Sequence, residues 1–274
     1  MKDILFKIEE TTRFLTDKEF NNIDTAIVLG TGLGSLINYI DVTKSISYQE
    51  IPNFPESTVE FHKGNLILGN IDGKKVIVLQ GRFHYYEGYS MQEITFPIRV
   101  LGALGVKKLF LSNAAGGMNA GYKKGDLVLI EDHINQLPDN PLRGLNAPEF
   151  GNRFVDMSQP YDKYLNEIIL AAGKELSIEI KKGIYVSVMG PNLETKAEYR
   201  FLRGIGADMV GMSTVPEVIV ANHIGMACAA VSVITDECDP DNLQPVNIAE
   251  IIEVAGKADE KLSKIFLKAV SEFS

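Results

Sequence analysis

Cysteine is scarce in this chain of 274 residues, which contains only Cys228 and Cys238. Two isolated cysteines do not make the disulfide framework of a small secreted domain, and their spacing fits no zinc-binding motif. His223 lies nearby in the sequence, but no second histidine follows it to complete a pair of zinc ligands. We therefore expect two reduced thiols and no metal site.

Long apolar runs and an excess of positive charge are also missing. The longest apolar run, residues 224–234, contains Ser232 and is shorter than the roughly 18–20 residues of a membrane span. The opening string MKDILFKIEE has acidic residues where a signal peptide needs an apolar stretch. The formal net charge of −9 disfavours a nucleic-acid surface, which requires a basic face. These absences predict a cytoplasmic protein that binds neither membrane nor nucleic acid.

What the chain does contain is a regular alternation of short apolar strands and helical stretches. Continuously apolar strands have both faces covered, which is typical of a largely parallel sheet between helices. The predicted strands are Thr25–Leu29 and residues 76–79, 109–111, 127–130, 183–188, 209–210 and 227–234. The predicted helices are residues 4–20, 91–104, 164–176, 193–202, 215–224 and 248–273. With no internal repeat or linker, we predict one α/β domain over residues 1–274, with a central mixed, largely parallel β-sheet flanked by helices.

Ligands of such sheets bind beside the loops that leave the carboxyl ends of strands. The loop after residue 29 is GTGLG, in which glycine amides and the Thr31 hydroxyl are able to donate to an anion. Alone, this string fits a plain strand-to-helix turn equally well. Ser35 stands where a dinucleotide site needs Gly or Ala, which disfavours a dinucleotide-dependent oxidoreductase.

The loop after residue 79, QGRFHYYEGY, is richer in reactive side chains. Arg82 offers a planar fork of donors for phosphate oxygens, and His84 is able to donate to an anion. Tyr86 combines a hydroxyl with an apolar ring face. The alternative is a solvated loop held by aromatic packing, and this string alone does not decide between the two.

Two further loops are built from small residues. SNAAGG follows residue 111 and forms either a tight turn or a surface on which the Ala114 amide binds an anion. GMSTVPE follows residue 210 and places Ser213 before a helix. Ser213 is there able to cap the helix, to contribute to an anion site at its N-terminus, or to do both.

Taken together, the strings GTGLG, GRFHYYEGY, NAAGG, GPNLET, VGMSTVPEV and the Thr235-Asp236 pair occur in the order found in trimeric purine nucleoside phosphorylases. The resemblance runs from about residue 27 to residue 234. It implies a purine-salvage enzyme that uses phosphate to split purine ribonucleosides and deoxyribonucleosides, preferably inosine and guanosine, into free base and sugar 1-phosphate. It also implies a homotrimer that needs no metal or other cofactor, with inorganic phosphate as co-substrate.

Carried over by position, the resemblance assigns a role to individual residues. It implies His84 at the phosphate and Asp236 at the leaving purine as the catalytic residues. It implies that Phe154 reaches into the site of the neighbouring subunit. The implied phosphate contacts are Thr31, His62, Arg82, His84, Ala114 and Ser213. The implied ribose contacts are Tyr86 and Met212, and the implied base contacts are Tyr185, Glu194, Val210 and Asp236.

The chain departs from the family pattern at several places. Thr31 replaces a common Ser and keeps its hydroxyl, whereas Leu193 replaces an aromatic residue that often covers the base. Asp236 occupies a position that is Asn in the enzymes specific for 6-oxopurines. No histidine follows His223, so the histidine that some members place near the ribose 5′-hydroxyl is missing.

Glu194 and Asp236 point to different bases. The Glu194 carboxylate accepts hydrogen bonds, which suits the N1–H of hypoxanthine or guanine. An Asp236 carboxylate suits a 6-amino group, whereas a protonated Asp236 would donate to N7 or O6. We expect 6-oxopurine nucleosides to be preferred, and the alternative is a methylthioadenosine or adenosine phosphorylase. A non-catalytic nucleoside-binding module is disfavoured because both acids are present.

Overall fold

The structure of the chain, a computed structural model, describes residues 2–56, 63–144 and 148–273. These residues form seven α-helices and nine strands. The helices are α1 (Lys2–Asp17), α2 (Met91–Ile94), α3 (Phe96–Ala103), α4 (Lys163–Glu175), α5 (Lys196–Gly204), α6 (Val215–His223) and α7 (Ile248–Ser271). The strands are β1 (Thr25–Leu29), β2 (Asp41–Ser47), β3 (Asn65–Ile71), β4 (Lys74–Gln80), β5 (Lys108–Gly117), β6 (Leu127–Asn135), β7 (Ile180–Ser187), β8 (Met209–Gly211) and β9 (Ala227–Glu237).

The strands form one continuous sheet in the order β2-β3-β4-β1-β5-β8-β7-β6-β9. Because β5 also pairs with β9, strands β5 to β9 close into a ring, from which β1, β4, β3 and β2 extend as an open sheet. The pairings β1–β4, β1–β5, β5–β9, β6–β7 and β7–β8 are parallel. The pairings β2–β3, β3–β4, β5–β8 and β6–β9 are antiparallel. The predicted α/β class with a mixed, largely parallel sheet is therefore confirmed.

Alternation along the strands divides the core between the two faces of the sheet. In β1, Ala26 and Val28 face one apolar cluster, which contains side chains of α1, α3 and α6. Ile27 and Leu29 face a second cluster, which contains side chains of α4 and α7. Both faces of β1 are thus covered by helices, which is why its sequence TAIVL is apolar throughout.

The sequence prediction misses β2 and β3, which form an antiparallel extension at the edge of the sheet. β2 is mostly exposed and polar, so it lacks the apolar run that identified the other strands. β3 and β4 are joined by Asp72 and Gly73, which have φ angles of 48° and 78°. A two-residue Asp-Gly turn is a strong hairpin signal, so this pair of residues is the sequence feature from which β3 could have been predicted.

The predicted helix over residues 91–104 is divided into α2 and α3 at Thr95. Pro97 lies in the first turn of α3 and has no N–H to continue the hydrogen bonding of α2. At the break, the Met91 carbonyl oxygen accepts from both the Thr95 amide, at 3.3 Å, and the Thr95 hydroxyl, at 2.7 Å. A proline in the first turn of a helix is favourable, so the break costs little.

The C-terminal helix α7 is amphipathic. Apolar side chains such as Leu262 and Phe266 are buried against the sheet, while Glu253 and Lys257 form an exposed ion pair one turn apart. None of the helices in the described part of the chain is both long enough and apolar enough to cross a membrane.

Candidate active site

A cavity of about 360 Å³ opens at the carboxyl ends of the strands. Strands β1, β4, β5 and β9 are connected by parallel pairings, so their carboxyl ends lie at the same edge of the sheet. Most of the residues predicted from the sequence line this cavity. They are Thr31, Arg82, His84, Tyr86, Ala114, Glu194, Val210, Met212, Ser213 and Asp236.

Three predicted residues are not among the lining side chains. Tyr185 is fully buried behind the wall, where its hydroxyl accepts a hydrogen bond from the Ser213 amide at 3.3 Å. Burial raises the pKa of Tyr185, so the hydroxyl stays protonated. Phe154 is 88% exposed and does not line the cavity of its own chain. His62 lies outside the described residues. The predicted contacts of these three residues with a nucleoside or with phosphate stay predictions.

The loop that carries Thr31 is held against β5 by close backbone packing. A Cβ atom on Gly30 would lie 2.7 Å from the Ser112 carbonyl oxygen, so only glycine fits at this position. The Gly30 amide donates to the Ser112 hydroxyl oxygen at 3.1 Å. Farther along the loop, the Ser35 amide donates to Oδ2 of the buried Asp259 in α7, at 2.6 Å. Contacts with β5 on one side and with α7 on the other thus fix the loop that carries Thr31.

Arg82 is buried, with a relative exposure of 3%, and forms a two-point ion pair with Glu217 of α6. Its Nε donates to Glu217 Oε1 at 3.2 Å, and its Nη2 lies 3.0 Å from Glu217 Oε2. Nη1 donates to the Ser112 carbonyl oxygen and lies 3.5 Å from the Ser213 hydroxyl oxygen. The edge of the guanidinium formed by Nε and Nη2 therefore joins the loop after β4 to α6. The sequence analysis missed Glu217 because its partner is distant in the chain.

His84 is held by Glu87 of the same loop. The Glu87 carboxylate accepts from the His84 amide at 2.7 Å and lies 3.1 Å from His84 Nδ1. Burial lowers the pKa of His84, with the nearby Arg82 acting in the same direction and Glu87 opposing it. His84 is therefore neutral near pH 7 and donates through Nδ1, which makes Nε2 an acceptor. The Tyr86 ring stacks on the imidazole, with a centroid distance of 4.7 Å.

The turn between β8 and α6 is strained. Thr214 has a φ angle of 69°, which a β-branched residue rarely adopts. The Thr214 hydroxyl accepts a hydrogen bond from Asn113 Nδ2 at 2.8 Å, and Asn113 Oδ1 accepts one from the Ser232 hydroxyl at 2.7 Å. These buried contacts with β5 and β9 hold the strained turn. The N-cap of α6 is Thr214 and makes no side-chain capping bond, so of the two roles left open for Ser213, capping the helix is excluded.

Two carboxylates face the opposite end of the cavity. Glu194 precedes α5, which starts at Lys196 rather than at residue 193 because Thr195 and Glu198 form a capping box. This cap leaves Glu194 outside the helix, on the cavity wall. Burial raises the pKa of Glu194, and a hydrogen bond from Tyr199 opposes the shift. Asp236 lies at the end of β9, with Oδ1 accepting from the Thr235 hydroxyl at 2.8 Å.

The start of α7 adds an apolar wall that the sequence analysis missed. Ile248, Ile251 and Ile252 line the cavity, together with Leu193 and Pro191. The isoleucines are spaced three and four residues apart, which places them on one face of the helix. That spacing was visible in the sequence, but nothing local indicated that this face covers a site formed by the loops after the strands.

The cavity therefore has two chemically different ends and an apolar wall. One end presents Arg82 and the hydroxyls of Thr31 and Ser213, which are donors suited to an oxyanion, together with His84 Nε2 as an acceptor. The other end presents the Glu194 and Asp236 carboxyl groups. Across residues 2–56, 63–144 and 148–273, no three His, Cys, Asp or Glu side chains are arranged to hold a metal ion.

Comparison with known proteins assigns this arrangement to a family. A family model described as Phosphorylase superfamily matches residues 24–271. Purine nucleoside phosphorylase 1 of Bacillus subtilis (strain 168) is 48% identical over 270 residues, which cover 98% of this chain and 97% of that protein. The purine nucleoside phosphorylase of Mus musculus is 43% identical over 272 residues, covering 96% and 93% of the two chains. This chain belongs to the purine nucleoside phosphorylases.

Solved purine nucleoside phosphorylases share the fold over its whole length. A schistosoma enzyme in complex with hypoxanthine has a TM-score of 0.90 and 38% identity, covering 97% of each chain. Isoform 2 from Schistosoma mansoni, in complex with cytosine and ribose-1-phosphate, has a TM-score of 0.91 and 41% identity, covering 98% of this chain and 96% of that one. The resemblance inferred from the sequence strings is confirmed, and each string contributes residues to the cavity wall.

The Arg82–Glu217 pair predicts a large stability effect. Glu217→Ala leaves a buried guanidinium without its carboxylate, and we expect a loss of about 3–5 kcal/mol in the free energy of unfolding, measured by urea denaturation. Glu131→Ala is the control, because Glu131 pairs with Lys182 at the surface, where both side chains are about half exposed. It should change the unfolding free energy by less than about 1 kcal/mol. Equal effects of the two variants would contradict the structural role of the buried pair.

Proposed function

We propose that this chain catalyses the phosphorolysis of purine ribonucleosides and deoxyribonucleosides. The observation that carries the proposal is the polarity of the cavity, with a cation and hydroxyl donors at one end and two carboxyl groups at the other. The names and bound ligands of the relatives support it, since two solved relatives hold hypoxanthine or ribose-1-phosphate. Phosphate is a co-substrate in this proposal, and no metal or other cofactor takes part.

The reaction replaces one bond at C1′ with another. The C1′–N9 bond breaks with its electron pair moving to the purine, and a phosphate oxygen forms the new C1′–O bond. The proton of monohydrogen phosphate ends on the purine, so the products are neutral base and sugar 1-phosphate. Because the sugar passes through a cation-like state, a fixed anion beside C1′ lowers the barrier.

The described side chains suit the binding of monohydrogen phosphate. Arg82 supplies the positive charge, and the Thr31 and Ser213 hydroxyls and the Ala114 amide supply further donors. Neutral His84, with Nδ1 held by Glu87, presents Nε2 as an acceptor for the P–OH group. This reverses the direction expected from the sequence, in which His84 donates to the anion.

Phosphate dependence is the direct test. With inosine, omission of phosphate should nearly abolish base release, and the sugar product should be ribose 1-phosphate, identified by ³¹P NMR in buffer containing EDTA. Arg82→Ala should raise the KM for phosphate about 30- to 150-fold, equivalent to about 2–3 kcal/mol. Arg82→Lys should give a smaller increase, because the charge remains but the planar fork is lost.

Arg143→Ala is the matched control for Arg82, since Arg143 is exposed and lies outside the cavity. It should leave the KM for phosphate unchanged. Rapid hydrolysis without phosphate, or a phosphate KM that is insensitive to Arg82, would contradict the proposal.

We propose 6-oxopurine nucleosides as the preferred substrates, because the Glu194 carboxylate accepts from N1–H of hypoxanthine and guanine but repels the bare N1 of adenine. The second candidate is an adenosine or methylthioadenosine phosphorylase. One observation favours it: Asp236 accepts hydrogen bonds at both oxygens, from Thr235 at 2.8 Å and from Cys238 Sγ at 3.0 Å. A side chain that accepts at both oxygens presents acceptors to the base, which suits the donor of a 6-amino group.

Base preference is tested by kcat/KM for inosine, guanosine and adenosine. Glu194→Gln should lower the values for inosine and guanosine most, by about 10- to 100-fold for a lost charge-assisted contact. Asp236→Asn should keep inosine cleavage and reduce adenosine cleavage. Because the pKa of Glu194 is raised, the carboxylate protonates at a higher pH than usual. Inosine kcat/KM should therefore fall on the acid side above the ordinary Glu range, and this limb should vanish in Glu194→Gln. A wild-type preference for adenosine would overturn this assignment.

We further propose a cytoplasmic homotrimer in which Phe154 completes the site of a neighbouring subunit. The family resemblance supports the idea, and the Phe154 ring is 88% exposed, so it is accessible to a neighbouring subunit. Phe154→Ala should raise the nucleoside KM about 5- to 20-fold, as expected for a lost aromatic contact. Phe6→Ala, which removes another exposed ring, is the control.

A subunit-mixing experiment separates sharing from a local effect. Arg82→Ala subunits carry an intact Phe154, and Phe154→Ala subunits carry an intact phosphate end. Hybrids of the two should therefore regain wild-type nucleoside KM in part of their sites. A fully active monomer in sedimentation, or hybrids without such sites, would contradict the shared site.

A further inference from the structure

Between the two carboxyl groups of the cavity lie the side chains of Tyr199 and Cys238. Tyr199 belongs to α5 and is 2% exposed, with part of its surface on the cavity wall. Cys238 directly follows β9 and is 1% exposed. Its Sγ donates to Asp236 Oδ2 at 3.0 Å. The Tyr199 hydroxyl lies beside both the Glu194 carboxylate and the Cys238 sulfur, and its interaction with Glu194 opposes the rise in the pKa of that carboxyl group.

Each carboxyl group thus has one of these side chains beside it: Tyr199 lies beside Glu194, and Cys238 lies beside Asp236. Tyr199 has one hydroxyl proton, which it donates to Glu194, and Cys238 has one thiol proton, which it donates to Asp236. Two carboxyl groups that face one ligand repel each other when both are ionised, and donors between them offset that repulsion. An apolar filling of the same space would not do so.

The backbone provides the room for the contact between Cys238 and Asp236. The parallel register of β5 and β9 shifts between Ala115 and Gly116, so that Gly116 lies opposite Asp236. A Cβ atom on Gly116 would lie 2.6 Å from Cys238 Sγ and 3.4 Å from Asp236 Oδ2. The Cys238 amide also donates to the Gly117 carbonyl oxygen at 2.7 Å. The shift in register and the missing side chain together let the thiol reach the carboxylate.

We propose that Tyr199 and Cys238 are positioning residues that hold Glu194 and Asp236 in fixed orientations and thereby set how sharply the site discriminates between purines. This rests on the proposed function, in which those two carboxyl groups contact the base. Burial raises the pKa of the Cys238 thiol, as does the charge of Asp236, so Cys238 stays protonated and acts as a donor rather than as a nucleophile. Neither residue needs to touch the reacting bond.

The test compares Tyr199→Phe and Cys238→Ala with two matched controls. Tyr161→Phe removes a hydroxyl that lies 3.1 Å from His133 Nδ1, and Cys228→Ala removes a thiol that donates to the Pro160 carbonyl oxygen. Both control residues are buried, and neither lines the cavity. Each variant is assayed for kcat/KM with inosine and adenosine, for the KM of phosphate, and by calorimetry for binding of hypoxanthine and adenine.

We expect the ratio of kcat/KM for the two nucleosides to move about 5- to 10-fold toward unity in Tyr199→Phe and in Cys238→Ala, as the loss of one hydrogen bond predicts. The KM for phosphate should stay unchanged, and the controls should keep the wild-type ratio. Cys238→Ser restores a donor and should return the ratio to within about twofold of wild type.

An unchanged ratio in Tyr199→Phe and Cys238→Ala would overturn the proposal, as would an equal change in the controls. The calorimetric arm separates this result from a failure of the proposed function. If the wild-type chain binds purines but does not cleave nucleosides with phosphate, the ratio of the two binding constants replaces that of kcat/KM. If it binds no purine, both proposals fall. If Tyr199→Phe does not fold, the Cys238 pair of variants carries the comparison alone.

Discussion

The buried ion pair between Arg82 and Glu217 is the interaction on which the phosphate end of the cavity depends. Arg82 follows β4 and Glu217 lies in the first turn of α6, and β4 and β8 are separated in the sheet by β1 and β5. A guanidinium removed from water is costly unless a carboxylate accepts its hydrogen bonds. The pair therefore holds the two loops in one arrangement, with Ser213 beside Arg82.

The strained residue Thr214 is the N-cap of the helix that carries Glu217. A β-branched residue with a positive φ persists only when surrounding contacts hold it, and Asn113 and Ser232 provide them from β5 and β9. Glu217 lies in the first turn of α6, directly after this strained N-cap residue. The closed ring of strands β5 to β9 thus serves as the rigid frame on which both the strained turn and the ion pair are mounted.

The opposite end of the cavity follows a different principle. There the chain gathers carboxyl groups, which repel each other, and places the hydroxyls of Thr235 and Tyr199 and the thiol of Cys238 beside them. A cavity with a cation at one end and carboxyl groups at the other suits the proposed reaction, in which an anion bonds to the sugar and the purine leaves with the electron pair. The separation of the two ends follows from the sheet order rather than from any single loop.

The sequence by itself determined the buried strands, the loops after them and most of the lining residues, including Arg82, His84 and Asp236. Arg82 and His84 followed from local features, because an apolar run marks a covered strand and the loop that follows is contiguous with it, whereas Asp236 followed from the resemblance of the motif strings to a family. The tertiary structure alone decided that Glu217 engages Arg82, that Tyr185 lies behind the wall, that Ile248 and its neighbours cover the cavity, and that Cys238 reaches Asp236. These contacts join residues that only the order and register of the strands bring together, and no local pattern encodes that order.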